Sequence, residues 1–209
     1  MDTCCMSGEA QTVLPTVMLV RHGETEWSLS GQHTGHTDVT LTANGEAMAC
    51  DLAQVLAPFR FSHVFTSPRQ RARRTCALAL DGRLAVTDPD LAEWDYGDYE
   101  GLTTAQIHTR SPGWNVFRDG CPGGETVAEV AARADRVIDR LRTMAGPIVL
   151  FSHGHFGCVL GARWVGLPAA AGEHLALDPA SLSVLGPRQR QPDMPVIARW
   201  NVVSVERLA

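Results

Sequence analysis

Four consecutive apolar residues, Ile148-Val149-Leu150-Phe151, stand between a Gly146-Pro147 break and the polar segment Ser152-His153-Gly154-His155. A strand with one wet face alternates apolar and polar side chains, so an unbroken run this short reads as a strand covered on both faces. Sheets covered in that way are mostly parallel, and parallel neighbours need a crossover element between them. The chain supplies such crossovers. Apolar runs at 16–20 and 63–66 are each followed by a helical pattern, at 42–56 and 68–80, in β-α-β-α order. Thr42, with Glu46 soon after, starts the first helix, and Pro68 suits the opening turn of the second.

A third helix is the clearest. Over 125–144, Val127, Val130, Ala131, Ala134, Val137, Ile138 and Leu141 recur at three- and four-residue steps on one face. The segment 88–124 is rich in Gly, Pro, Asp and Trp, with a short helix at 103–109, and reads as a long excursion over the sheet. Late strands are expected at 181–185 and 196–203, joined by a Pro- and Arg-containing turn at 186–195. Residues 1–15 read as a flexible tail and 16–209 as one domain.

At 209 residues and 44% hydrophobic, the chain buries the core of one large domain. A net charge of -5 argues against a nucleic-acid-binding body, since basic residues cluster only between Arg69 and Arg74. The first 15 residues lack a basic start and an apolar stretch, so neither a signal peptide nor a membrane helix is expected, and a cytoplasmic location is. Six cysteines without a Cys-x-x-Cys pair fit reduced thiols, with Cys4 and Cys5 in the tail.

Chemistry concentrates at strand ends. Arg21-His22-Gly23-Glu24-Thr25 follows Val17-Met18-Leu19-Val20, Ser67-Pro68-Arg69-Gln70-Arg71 follows the second strand, and His153 follows the late one. Glu93 lies in Leu91-Ala92-Glu93-Trp94-Asp95-Tyr96-Gly97. In open α/β sheets ligands bind beyond the carboxyl ends of strands, where arginine offers a permanently charged fork for phosphate. Alone, each segment could be an ordinary surface turn; together they hold a nucleophile, cations and a proton source, the parts phosphoryl transfer requires. His153 and His155, as alternate residues of an extended segment, face opposite sides and do not converge on a metal. For His33 and His36 no nearby acidic or cysteine ligands complete a metal site, and they are read as loop residues. Trp27, Trp94, Trp114 and Phe117 are candidates to line a pocket, and Arg73 and Arg74 to pair with surface carboxylates.

In this order, and with Gly35-His36-Thr37-Asp38, Tyr96-Gly97-Asp98-Tyr99-Glu100-Gly101 and Ser152-His153-Gly154-His155, these segments resemble the histidine phosphatase superfamily, the phosphoglycerate-mutase-like branch one, over most of 16–185. The resemblance implies a three-layer α/β/α sandwich with a mostly parallel central sheet. It implies that His22 attacks phosphorus, that Arg21, Arg71 and His153 hold the phosphoryl oxygens, and that Glu93 is the general acid. Ser28, Thr34, Gly35, Arg69, Tyr96, Gly154 and His155 become candidate substrate contacts. Neither metal nor cofactor is called for. The partner is a small phosphate ester, not nucleic acid or membrane, and a homodimer is compatible with the chain.

Within that family the segment after Glu93 is short for a mutase, and Thr104 stands where the mutases' phosphoglycerate-binding lysine is expected. Hydrolysis is therefore favoured over mutase activity, and over a non-catalytic phosphate-sensing module. The likeness is greatest to a subgroup that includes acid phosphatases and sedoheptulose bisphosphatase, matched by Trp114-Asn115-Val116-Phe117-Arg118-Asp119-Gly120-Cys121. A sugar phosphate or bisphosphate is implied, with Arg69 or Arg118 on a distal phosphate. Ser28 replaces the mutases' asparagine, and Cys158 replaces an arginine common among relatives.

Overall fold

A computed structural model describes residues 13–203. Six strands form one sheet: β1 (Val17–Arg21), β2 (His63–Thr66), β3 (Val86–Thr87), β4 (Ile148–Ser152), β5 (Leu182–Arg188) and β6 (Gln191–Val202). Their spatial order is β3-β2-β4-β1-β5-β6, with the first four mutually parallel and β5 and β6 antiparallel. Helices α1 (Glu26–Ser30), α2 (Ala43–Leu56), α3 (Gln70–Ala79), α4 (Thr104–His108), α5 (Val116–Asp119), α6 (Val127–Arg142) and α7 (Gly154–Trp164) complete the chain with three short 3-10 turns.

Alternation along the central strands sorts two cores. Met18 and Val20 of β1 and Val149 and Phe151 of β4 meet Leu52, Val55 and Leu56 of α2 and Cys76 and Ala79 of α3. Val17, Leu19, Ile148 and Leu150 meet Val130, Ala134, Val137 and Leu141 of α6 and Phe156, Val159 and Leu160 of α7. This is the three-layer sandwich with a mostly parallel sheet. All five residues of β4 are buried, as its unbroken apolar run requires.

Helix starts follow local chemistry. Thr42 caps α2 by accepting from Gly45 N–H at 2.9 Å, and Thr126 and Glu129 form a reciprocal capping box on α6. Pro68 falls two residues before α3, whose N-cap is Arg69.

Two expected boundaries move. Leu14 and Pro15 are buried, and Leu14 N–H donates to Pro192 O at 3.0 Å, so these two residues pack with the body rather than with the expected tail; the expected tail up to residue 12, including Cys4 and Cys5, lies outside the described residues. The turn expected at 186–195 is a hairpin whose tip is Gln189 and Arg190, the latter at φ 69. Pro187 pairs with Pro195 in the ladder because β6 is the outermost strand and the register shifts there, so the missing N–H groups leave no inner neighbour unpaired. No helix among the described residues is long and apolar enough to cross a membrane.

Candidate active site

Three neighbouring strands end together. Arg21 lies opposite Ser152 and Thr66 opposite Phe151. The ladder continues one step further, His22 N–H donating to Ser152 O at 3.0 Å and Ser67 N–H to Phe151 O at 2.9 Å. His22, Ser67 and His153 therefore leave the sheet at one edge.

His22 is 5% exposed, and its Nδ1 lies 2.7 Å from Gly23 O. A carbonyl oxygen only accepts, so Nδ1 carries the proton and Nε2 keeps a lone pair. Burial, reinforced by the Arg71 and Arg21 guanidiniums, holds the ring well below the ordinary histidine range. The neutral imidazole is thus the resting state. Gly23 is itself fixed, since its N–H donates to Thr75 Oγ1 at 3.0 Å and that hydroxyl donates to Arg71 O at 2.7 Å.

His153 is fully buried, with its ring centroid 5.1 Å from that of His22. Its Nε2 is 2.7 Å from Ser67 Oγ, a residue the sequence reading had not singled out as a contact. Burial, then Arg71, His22 and Arg21, push this imidazole far down as well. Arg71 is 0% exposed and donates to Thr37 O at 3.0 Å, Thr34 O at 2.8 Å and Gly35 O at 3.2 Å, so it shapes the loop 34–37. Arg21 donates from Nη1 to Leu177 O. Of the five buried side-chain nitrogens without a partner among the described residues, four belong to these arginines and histidine, Arg21 Nε, Arg69 Nε, Arg71 Nε and His153 Nδ1; the fifth is Trp164 Nε1. Unpaired buried donors are costly, and a cluster of them beside a neutral imidazole is what an anion would satisfy.

Glu93 comes from the excursion. Arg133 of α6 donates to Ala92 O at 2.6 Å, Glu93 O at 3.3 Å and Asp90 O at 2.9 Å, and pairs with Glu125 at 2.8 Å. Arg136 and Arg140, on the same helix face, bind Asp90 at 2.8 Å each. The Glu93 carboxylate then meets the N-terminus of α7: Oε1 accepts from Trp94 N–H at 2.9 Å and Phe156 N–H at 2.8 Å, and Oε2 from His155 N–H at 3.1 Å.

A cavity of about 470 Å³ opens in front of His22. Arg21, His22, Glu93, Ser28, Thr34, Tyr96, Gly154 and His155 line it; Arg71, His153, Gly35 and Arg69 do not. Gly35 N–H is bound to Glu100 at 3.0 and 2.9 Å, and a Cβ there would lie 2.5 Å from Trp94 O, so this glycine permits close packing rather than substrate contact. Arg69 bonds His36 at 2.7 Å. Ser28 Oγ donates to Thr25 O and accepts from Thr25 N–H at 2.9 Å each, leaving it only acceptor capacity. His155 belongs to α7, not to an extended segment as expected, and its Nδ1 is 2.6 Å from Tyr96 Oη. Burial raises the Tyr96 hydroxyl and lowers His155, so both stay neutral.

Trp27 and Phe117 line the cavity, whereas Trp94 and Trp114 are core residues whose Nε1 groups donate to Glu125 O and Gly120 O at 2.9 and 2.8 Å. Arg74 pairs with Glu46 at 2.7 Å. His33, read from sequence as a loop residue, is a wall of the cavity: its ring lies 4.8 Å from Tyr96 and 5.7 Å from His155, and its Nε2 3.2 Å from Thr104 Oγ1. Cys158 also lines it; its thiol faces Leu175 O at 3.1 Å, and burial pushes it up to about 12, so it is an inert wall. Among the described residues no group of three His, Cys, Asp or Glu side chains could hold a metal ion.

Residues 17–203 match the family model for the histidine phosphatase superfamily, branch 1. The chain belongs to that superfamily. An acid phosphatase of Mycobacterium tuberculosis is 46% identical over 176 residues, covering 81% of this chain and 85% of that protein. Sedoheptulose 1,7-bisphosphatase of Saccharomyces cerevisiae is 40% identical over 188 residues, 75% of this chain and 69% of that one. A solved structure of a Mycobacterium tuberculosis open reading frame superposes with a TM-score of 0.84 at 40% identity, covering 90% of this chain and 97% of its own. In this histidine phosphatase the strand-end histidines, the arginines and Glu93 thus stand on a scaffold shared with phosphatases.

Proposed function

We propose that this histidine phosphatase hydrolyses small phosphate monoesters through a phosphohistidine on His22. The supporting observation is the neutral imidazole with Nδ1–H tied to Gly23 O, set among buried guanidinium and imidazole nitrogens that lack partners.

In the first half-reaction His22 Nε2 attacks phosphorus and the P–O ester bond breaks. Its electron pair stays on the leaving oxygen, which takes a proton from Glu93. Arg21 and Arg71 supply fixed positive charge to the equatorial oxygens and the neutral His153 imidazole a hydrogen-bond donor, which lowers the barrier without rearrangement. Glu93 Oε2 accepts one backbone bond and Oε1 two, so Oε2 is the oxygen free to carry the proton. In the second half-reaction Glu93 removes a proton from water, the hydroxide oxygen bonds to phosphorus, and the P–N bond breaks to return neutral His22 and phosphate.

Rapid quenching into alkaline detergent after mixing with a phosphate-labelled monoester tests this. Alkali-stable, acid-labile label is expected on the wild type and none on His22→Ala, whose turnover falls at least ~10³-fold. Free phosphate should appear without a bisphosphoglycerate primer; primer-dependent isomerisation with no net release would instead make the protein a mutase.

A further inference from the structure

The cavity extends well past the reacting atoms, and its charge is uneven. The wall away from the strand ends is built by Trp27, Gln32, His33, Thr104, Phe117 and Glu173. All 18 basic residues of the chain are arginine, and among the described residues lining the cavity Arg21, next to the nucleophile, is the one guanidinium. His33 adds no charge, since burial and the neighbouring His155 bring it down to about 4. Glu173 adds a negative one. Its Oε2 accepts from Asn115 Nδ2 at 2.8 Å, which leaves it anchored as a carboxylate at the cavity wall.

The arginines that a second anion would need are engaged elsewhere. Arg69 bonds His36 at 2.7 Å, and His36 in turn bonds Asp95 at 3.0 Å. Arg118, whose charge reaches Glu173, is bound to Asp119 at 2.9 Å and to Gly113 O at 2.5 Å. Neither lines the cavity. A second phosphate on the substrate would face the Glu173 carboxylate and neutral polar groups, with no cation among the residues lining that wall. Hydroxyl groups meet the opposite situation. They can donate to Glu173 and exchange hydrogen bonds with the Gln32 amide and the Thr104 hydroxyl, while C–H faces rest on the Trp27 indole.

We propose that the site selects esters bearing one phosphoryl group on an uncharged, hydroxyl-rich alcohol and discriminates against sugar bisphosphates. This rests on the phosphatase reading above, and it departs from the substrate for which the yeast relative is named. The discrimination is by repulsion as much as by fit.

The test is kcat/KM for phosphate release from matched pairs, fructose 6-phosphate against fructose 1,6-bisphosphate and sedoheptulose 7-phosphate against its 1,7-bisphosphate. The monophosphate is expected to be preferred at least ~10-fold. Glu173→Lys, a change at an exposed position, should narrow that ratio at least ~10-fold by raising bisphosphate turnover, and Glu173→Gln should narrow it less. A wild-type ratio of one or below, a ratio indifferent to both substitutions, or bisphosphate turnover that depends on Arg118 would overturn the proposal. Acid-labile label that forms on His22 fastest from the bisphosphates would sink this inference alone. No label from any of the four esters would sink the phosphatase reading beneath it.

Discussion

Glu93 has two tasks that one substitution can separate. Its oxygens end the N-terminus of α7 through His155 and Phe156 N–H, and one of them must also move a proton. Glu93→Gln keeps a carbonyl oxygen to accept from the helix but removes the acid. We expect the fold to survive, with hydrolysis of alkyl phosphates down ~10²–10⁴-fold and nitrophenyl phosphate, whose leaving group needs no proton, slowed far less. Equal losses on both esters would take Glu93 out of the acid role. The same residue marks what the sequence could and could not tell. Arg21, His22 and His153 were legible because each follows a strand whose apolar run ends abruptly, and strand ends are where such sheets bind ligands. His33 was not, because its partners Tyr96, Trp114 and His155 are brought to it only when the excursion closes over the sheet. Glu173 was missed for the same reason, and Ser67, though inside a strand-end segment, gave no sign of its contact with His153, 86 residues away in the chain.

At the scale of elements, the loop that carries His22 is clamped by α2. Thr42 Oγ1 donates to Glu24 Oε1 at 2.7 Å, Asn44 Nδ2 to Glu24 Oε2 at 3.0 Å, and Thr42 N–H to Glu24 O at 3.0 Å. Gly45 lets the helix come this close, because a Cβ there would lie 2.1 Å from Glu24 O, a backbone atom that cannot rotate away. Gly45→Ala should therefore cost about 1–3 kcal/mol or more and lower turnover at least ~10-fold, since Glu24 is two residues from the nucleophile. Gly82→Ala, at φ +71 in open space, should cost only about 1–2 kcal/mol and leave kcat unchanged. Urea titrations and steady-state rates of the two variants check the contrast; matching effects would mean that the clamp does not position His22. The helix following β4 escaped the sequence reading for a related reason. Buried on nearly every side, α7 shows no polar face, and Gly157 and Gly161, where a Cβ would come within 2.7 Å of Leu177 and 2.6 Å of Trp200, read as breakers although they serve close packing. By contrast α6, with one apolar stripe and a capping box, was placed to within two residues, but its Arg133, Arg136 and Arg140 row gave no sign that it holds Asp90 and the Glu93 segment.

For the molecule as a whole, assembling the site means folding around imidazoles that must stay uncharged. His22 and His153 are held well below their ordinary range by burial and the neighbouring guanidiniums, and His33 is held at about 4 by burial. The unfolded chain binds protons at these three positions below about pH 6.5, whereas the folded chain does not. Stability is then fully present above pH 6.5 and is lost as the pH falls toward the folded-state values, each histidine contributing a slope of up to about 1.4 kcal/mol per pH unit. For His33, held at about 4, that amounts to roughly 2 kcal/mol between pH 7 and 5, a large part of a typical domain's 5–15 kcal/mol. Urea unfolding at pH 7, 6 and 5 should show a steep fall as His22, His153, His33 and the likewise lowered His155 take up protons on unfolding, and His33→Gln should flatten it by about one proton. A wild-type stability that stays level over the same range would mean that these rings accept protons in the folded protein, and with them charged, His22 would have no lone pair to offer phosphorus.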